Sequence, residues 1–273
     1  SYPFPSHSKN LRMTFIDVGQ GESILVEFPG HKKMLIDGGG LPGGSFDIGE
    51  NVVSPFLWKK GIKKINYLVL THAHPDHFDG LKSVARNFKI DEFWEAFSPS
   101  EDEAYKKFKE SLPASILSKR MFRGNSLQEG AVRIDFLHPE EGDPNVHSVN
   151  NEQSLVLRLE YAETAFLLSG DIGAESERKI LELSTELKSQ VLKSPHHGSL
   201  SSSSKDFLGR VEPRIAVISV GEGNRYGFPD QEVLKRYEEM DVKVYRTDIQ
   251  GAVELRSDGR RMSVRTASDN SRP

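Results

Sequence analysis

The sequence predicts an α/β fold in which one sheet packs on another and helices cover the outer faces. Three observations carry this expectation. Short runs rich in β-branched and apolar residues recur in both halves of the 273-residue chain, each closed by polar or glycine punctuation. Segments with helical apolar spacing lie between those runs. Sheets and helices with one apolar face bury it by stacking in layers, and 36% hydrophobic content over this length supports a large core.

Taken in order, Leu11–Val18, Ser23–Phe28 and Lys33–Ile36 read as a β-meander separated by Gly19-Gln20-Gly21 and Pro29-Gly30. Asp17 and Asp37 close the first and third strands. Gly38, Gly40 and Gly43 match a Gly-x-Gly-x-x-Gly spacing, but Pro42 lies inside it and helical spacing begins only near Ile48. A dinucleotide site is therefore rejected, and the glycines are read as a tight loop that lets the backbone approach a site. Asp47–Trp58 has helical spacing and leads through Lys59, Lys60, Lys63 and Lys64, a solvated helix end, into a buried strand at Ile65–Leu70. A helix to Phe88, a strand near Glu92–Ala96 and a charged helix over Glu101–Glu110 follow. Phe93, Trp94 and Phe97 are read as core rather than as a stacking platform for bases.

In the second half, Val132–Leu137, Ser154–Glu160, Ala165–Leu168, Val191–Leu192 and Ile215–Val220 read as strands, as do Val242–Tyr245, Ala252–Leu255 and Met262–Val264. Helices are expected over Ala174–Leu187 and Asp230–Met240, with a helical turn at Lys205–Leu208. No linker separates the halves. This predicts a single domain over 11–266 between a loose lead at 1–10 and a polar tail at 267–273.

Several classes are excluded by what the chain lacks. No apolar stretch approaches the roughly 20 residues needed to cross a bilayer, and Ser1–Asn10 has neither half of a signal peptide, so this stretch reads as soluble. Its polar ends fit a domain excised from a larger protein and equally a processed chain. A net charge of −4 gives no global drive toward nucleic acid, although a local basic groove is compatible with it. There is no cysteine, so disulfides and thiolate metal sites are ruled out and any metal is held by imidazole and carboxylate.

The chemistry concentrates at Thr71-His72-Ala73-His74-Pro75-Asp76-His77. His72 and His74 are two apart just past a strand, so in extended chain they point the same way. Pro75 is acceptable at a helix start, which places Asp76 and His77 in a first helical turn. Four ligands on one loop exceed what one tetrahedral ion takes from a single segment and point to two adjacent ions. Asp171 and the pair His196 and His197 stand at other predicted strand ends and supply further ligands from distant sequence. Asp171 alone would read as a helix N-cap. His147, Asn150 and Asn151 precede another strand and are weaker candidates, with turn formation the simpler role.

Asp-Val-Gly-Gln-Gly at 17–21, Leu-Ile-Asp-Gly-Gly at 35–39, the His-x-His-x-Asp-His cluster, Leu-Leu-Ser-Gly-Asp at 167–171, Pro-His-His-Gly-Ser at 195–199, Ser-Val-Gly at 219–221 and Asn-Arg-Tyr-Gly at 224–227 carry a resemblance. The chain resembles the metallo-β-lactamase superfamily, and within it the C-terminal domain of the ComEC/Rec2 competence proteins, inner-membrane channels that bring transforming DNA into bacteria. The resemblance implies a four-layer αββα sandwich with a dinuclear centre. It implies that His72 and His74 hold one ion, that Asp76 and His77 hold the other with one of His196 and His197, and that Asp171 bridges. Asp76 would also orient the attacking hydroxide, the unused histidine of the pair would touch phosphate, and Asp37 would orient a ligand histidine.

Two departures stand out. Asn150 and Asn151 lie where the superfamily has a further histidine, and Phe228-Pro229-Asp230 lies where related chains often carry one. Zn2+ and Mn2+ both suit such ligands.

The leading expectation is thus a metal-dependent phosphodiesterase or nuclease that acts on the non-transported strand, with single-stranded DNA and the channel of a parent membrane protein as partners. The resemblance puts this domain on the extracytoplasmic side of the inner membrane. The alternatives are a hydrolase of another ester, lactone or lactam, and a DNA-guiding module with a vestigial metal site.

Overall fold

The computed structural model describes residues 9–41, 46–96, 102–142 and 151–271. Phe97, His147 and Asn150 fall outside the described residues. The first sheet is built from β1 (Leu11–Phe15), β2 (Ile24–Glu27), β3 (Lys33–Ile36), β4 (Lys64–Val69), β5 (Lys89–Glu95) and β6 (Leu117–Arg120). The second contains β7 (Ser126–Glu129), β8 (Val132–His138), β9 (Val156–Tyr161), β10 (Thr164–Leu168), β11 (Val191–Lys193), β12 (Ile215–Ile218) and β13 (Lys243–Arg246). The last strands, β14 (Val253–Ser257) and β15 (Met262–Thr266), return to the first sheet, where β14 pairs antiparallel with β1. The two sequence halves are therefore not the two sheets.

Strand alternation explains the layers. In β4 and just beyond it, Tyr67 and Val69 point between the sheets, while Leu68 and Leu70 point outward. The inter-sheet core takes Phe15, Ile36, Val69 and Trp94 from one sheet and Phe136, Leu157, Phe166 and Val217 from the other. On the outer face of the first sheet lie α1 (Ser54–Lys59), α2 (Pro75–Asn87) and α3 (Glu103–Ser111), packed through Leu57, Leu81, Val84 and Phe108. On the outer face of the second lie α4 (Ala174–Leu181), α5 (Lys205–Val211) and α6 (Gln231–Glu239), packed through Ile180, Phe207, Leu208, Val233 and Tyr237. Burial on both faces is why the central strands read as nearly continuous apolar runs. The result is the αββα sandwich.

Four elements depart from the sequence reading. The helix expected over Ala174–Leu187 stops at Leu181, where its carbonyls are taken up by the N–H groups of Glu182 and Leu183. Leu187 still reaches the core from irregular chain, so the apolar spacing outlasts the helix. β6 and β7 were not legible because they are polar edge strands, held by pairing with β5 and β8 rather than by an apolar face. A short α7 (Thr247–Gln250) follows β13 and was likewise unsignalled.

The glycine loop after β3 packs on α2. Gly38 N–H donates to His77 O at 2.7 Å, and Gly80 N–H donates back to Gly39 O at 3.0 Å. A Cβ on Gly80 would collide with the carbonyl of Gly38 and the backbone of Gly49. In an open helix Gly→Ala would stabilise by about 1 kcal/mol. Here the collision reverses the sign, and Gly80→Ala is expected to destabilise by about 1–3 kcal/mol, as overpacking does. Denaturant unfolding checks this, and an alanine variant as stable as the parent would contradict the packing.

Candidate metal centre

The described candidate residues gather on one edge because the strands that deliver them run parallel. β3 and β4 are parallel neighbours, and so are β10, β11 and β12, so their C-terminal ends lie together across the two sheets. Asp37 follows β3, His72 follows β4, Asp171 follows β10 and the His196–His197 pair follows β11. The lysines before β4 sit at the opposite end of that strand, where Lys60 pairs with Glu27 and Glu254 and Lys64 pairs with Asp91. They do not line the site.

The first loop is built as its sequence requires. His74 stays extended (φ −91°, ψ 145°) as the N-cap of α2, Pro75 occupies the first turn, and Asp76 and His77 follow inside the helix. His72 Nε2 and His74 Nδ1 face each other at 3.1 Å. His77 Nδ1 donates to Asp37 Oδ2 at 2.7 Å, and Asp37 also accepts from Thr71 N–H and Oγ1 at 2.8 and 2.6 Å. This fixes the His77 ring with Nε2 turned inward. On the other sheet, His197 Nδ1 donates to Ser219 O at 2.7 Å, and its Nε2 also turns inward.

The two inward nitrogens meet the same carboxylate atom. Asp171 Oδ2 lies 3.3 Å from His77 Nε2 and 3.1 Å from His197 Nε2, while Asp76 Oδ2 lies 3.9 and 3.7 Å from them. Two groups of ligand atoms thus form, His72 with His77 and Asp171, and Asp76 with His77 and His197. His74 is in neither group, and neither is His196. Its Nε2 lies 3.0 Å from Asn151 Nδ2, because both histidines adopt left-handed backbone (φ 46° and 54°) and turn neighbouring side chains to different partners. Asn151 Oδ1 is buried near His74 without a hydrogen-bond partner.

These atoms fit a divalent cation. Neither His77 Nε2 nor His197 Nε2 has a hydrogen bond of good geometry, although both are buried against carboxylates. Electrostatics point the same way. Burial pushes His72 and His74 below the ordinary imidazole value, and the charge of His77 adds to it. Burial acts likewise on His77, but the carboxylates of Asp171, Asp37 and Asp76 overcome it and drive that ring well above. Burial would lower His197 too, but the charge of Asp171 and hydrogen bonds to Asp171 and Asp76 together raise it to about 9. Burial would raise Asp171, yet His197, Lys193 and His77 hold it well below the usual carboxylate range. In the metal-free protein, protons on His77 and His197 stand where a cation belongs.

Sequence reasoning missed two residues beneath this cluster. Lys193 is fully buried at the end of β11, with Nζ 2.9 Å from Asp171 Oδ1, 2.7 Å from Glu22 Oε2 and 2.6 Å from Gly170 O. Asp171 and Glu22 keep the ammonium charged despite its burial. The signal was a lysine ending an apolar strand, on the same face as Val191.

With fold and site in view, the comparisons can be read. The chain belongs to the metallo-β-lactamase superfamily, a hydrolase lineage whose pattern matches residues 16–222. Within it, the chain is similar to competence proteins. It is 33% identical to ComE operon protein 3 of Bacillus subtilis, over 93% of this chain and 34% of that protein. It is 30% identical to competence protein ComA of Neisseria gonorrhoeae, over 89% of this chain and 32% of that protein. The chain spans about a third of the length of these relatives. Among solved structures, YhfI of Bacillus subtilis aligns with a TM-score of 0.53 at 13% identity, over 87% of this chain and 95% of that one. A diphosphatase of the PhnP family aligns with a TM-score of 0.53 at 16% identity, over 91% and 98%. At these identities the likeness is one of fold. No helix among the described residues is long and apolar enough to cross a membrane.

A crossing pH dependence follows. Metal must displace the protons of His77 and His197, so affinity should rise with pH up to about 9. Stability without metal should move the other way. A folded-state value of about 9 against an ordinary 6.5 contributes stability that is complete below 6.5 and lost as pH rises to 9. Calorimetric metal titration in buffers of different ionisation enthalpy, beside metal-free melting across that range, checks both trends. Metal binding without proton release would contradict them.

Proposed function

We propose that this chain is a metal-dependent phosphodiesterase acting on DNA, the nuclease portion of a competence protein. The observation that carries the reading is the pair of ligand groups that share His77 at the sheet edge, with Asp171 Oδ2 within 3.3 Å of both inward imidazoles and neither imidazole in a good hydrogen bond. Similarity to proteins named for competence supports DNA as the substrate. In this reading His72 and His74 would hold one ion, with Asn151 standing where the resemblance leads one to expect a histidine. Asp76, His77 and His197 would hold the other, with Asp171 beside both groups.

Two bound divalent ions, Mn2+ or Zn2+, supply Lewis acidity and lower the pKa of a water near neutrality. The chain's own residues do the positioning. Asp37 fixes His77, Ser219 fixes His197, and Lys193 holds the far oxygen of Asp171 so that only Oδ2 faces the ions. His196 stands beside these groups and is assigned to an oxygen of the substrate phosphate. Burial keeps its imidazole below the ordinary value, so it meets phosphate as a neutral hydrogen-bonding group. The substrate is a single strand, the one not transported during uptake, and the rest of the parent protein is a membrane channel with this domain on its extracytoplasmic side.

The expected outcome is cleavage of single-stranded DNA that depends on Mn2+ or Zn2+, with nitrocefin and simple lactones left untouched. The net charge of −4 predicts weak binding that falls steeply with salt. Gel-based cleavage and chromogenic lactam assays on one preparation decide it. Lactam turnover without DNA cleavage would replace this reading with that of another hydrolase.

A further inference from the structure

Between β12 and α6, one side chain builds the loop that carries Asn224-Arg225-Tyr226-Gly227-Phe228. Asn224 Nδ2 donates to Gly221 O at 3.1 Å and Phe228 O at 2.7 Å, and Oδ1 accepts from the N–H groups of Tyr226 and Phe228 at 3.2 and 3.0 Å. The amide's full capacity is spent inside the loop, which holds the loop in one shape. Yet this rigid loop leaves Tyr226 47% exposed. The Tyr226 ring stacks on Phe228 with centroids 5.6 Å apart and planes 16° from parallel, and Phe228 stands edge-on to His196 at 5.6 Å. Three rings, His196, Phe228 and Tyr226, thus run outward from beside the candidate metal centre to solvent.

Beside the outer ring lies a cavity of about 430 Å3, lined in part by Gln20, Leu41, Glu222, Arg225 and Tyr226. It adjoins the metal loop, since its wall continues from Gly19 and Gln20 into Gly21, where a Cβ would collide with the carbonyl of Asp76. One acid and one base line it, so its formal charge cancels and a second phosphate gains little there. Gln20 Oε1 is engaged by Gly221 N–H at 3.4 Å, and Asn224 is fully engaged within the loop. Besides the Glu222 carboxylate and the Gln20 amide nitrogen, what remains is Leu41, the Tyr226 ring and the guanidinium of Arg225, which lies 5.0 Å from the ring centroid and donates to the Tyr226 hydroxyl at 2.9 Å. Flat aromatic and guanidinium surfaces with few free hydrogen-bonding groups suit the face of an uncharged heterocycle rather than its edge.

We propose that this cavity is a base-stacking subsite. One nucleobase, on the strand whose phosphodiester lies at the metal centre, packs against the Tyr226–Arg225 pair. The proposal rests on the DNA-cleaving reading above and adds that the site grips bases without reading their sequence. Rings in place before the strand arrives lose little freedom on binding.

The test compares a short oligothymidylate with the same strand made abasic throughout, by fluorescence anisotropy on the metal-free protein. The abasic strand keeps every phosphate, so the ratio of the two affinities removes the electrostatic contribution. The expected ratio is at least about fivefold in favour of the base-bearing strand, the lower end of a single stacking contact. Tyr226→Leu and Arg225→Gln should each bring it close to one without changing the melting temperature. Equal affinities in the parent protein, no binding of either strand, or a ratio that survives Tyr226→Leu would overturn the subsite. Cleavage by the metal-loaded protein is read separately. Base-dependent binding without cleavage would keep the subsite and remove the nuclease reading, and equal binding with cleavage would do the reverse.

Discussion

The carboxylate of Asp171 is shared from two sides, and the geometry of the site edge depends on how that sharing is balanced. Lys193 takes Oδ1 at 2.9 Å, while Oδ2 faces the Nε2 atoms of His77 and His197 at 3.3 and 3.1 Å. All four groups are buried, where an unpaired charge would cost several kcal/mol. Lys193 is in turn balanced by Glu22, which arrives from the loop after β1, on the opposite sheet. An ion pair therefore ties the two sheets together directly beneath the ligand atoms. It also leaves Oδ2 of Asp171 facing the two inward imidazoles.

That constraint explains what a reading of the chain alone could and could not reach. The His72-x-His74-x-Asp76-His77 cluster was legible because strand, extended link and helix start are consecutive, so local spacing fixes their common direction. Asp171 was legible only in company, since a carboxylate ahead of a helix has an ordinary use as a cap. The choice between His196 and His197 was not legible. It is made by two successive left-handed residues and by Ser219 and Asn151, which come from other elements. Glu22 and Lys193 were invisible for a similar reason, because their pairing joins opposite sheets. The layered fold was legible from central strands such as β4 and β10, whereas the polar edge strands β6 and β7 exist only through their neighbours.

The same edge accounts for why strain and function coincide. Asp37, His196 and His197 are non-glycine residues with positive φ, and each is held by hydrogen bonds to a neighbouring element. Parallel strands bring their C-terminal ends together, and the loops that leave them are free to vary without disturbing the core. The Asn224 loop is one such addition. It sets an exposed aromatic ring beside the Gly19–Gly21 turn that packs on Asp76.

Asp171→Asn tests the shared carboxylate most directly, since it preserves shape and hydrogen-bonding size while removing the charge. Because Lys193 loses a partner in that variant, metal should be counted at a temperature where circular dichroism shows both proteins folded. The account predicts two divalent ions per chain in the parent protein, under zinc or manganese, and no more than one in the variant. A variant that still binds two ions with unchanged affinity, or a parent that never exceeds one, would contradict it.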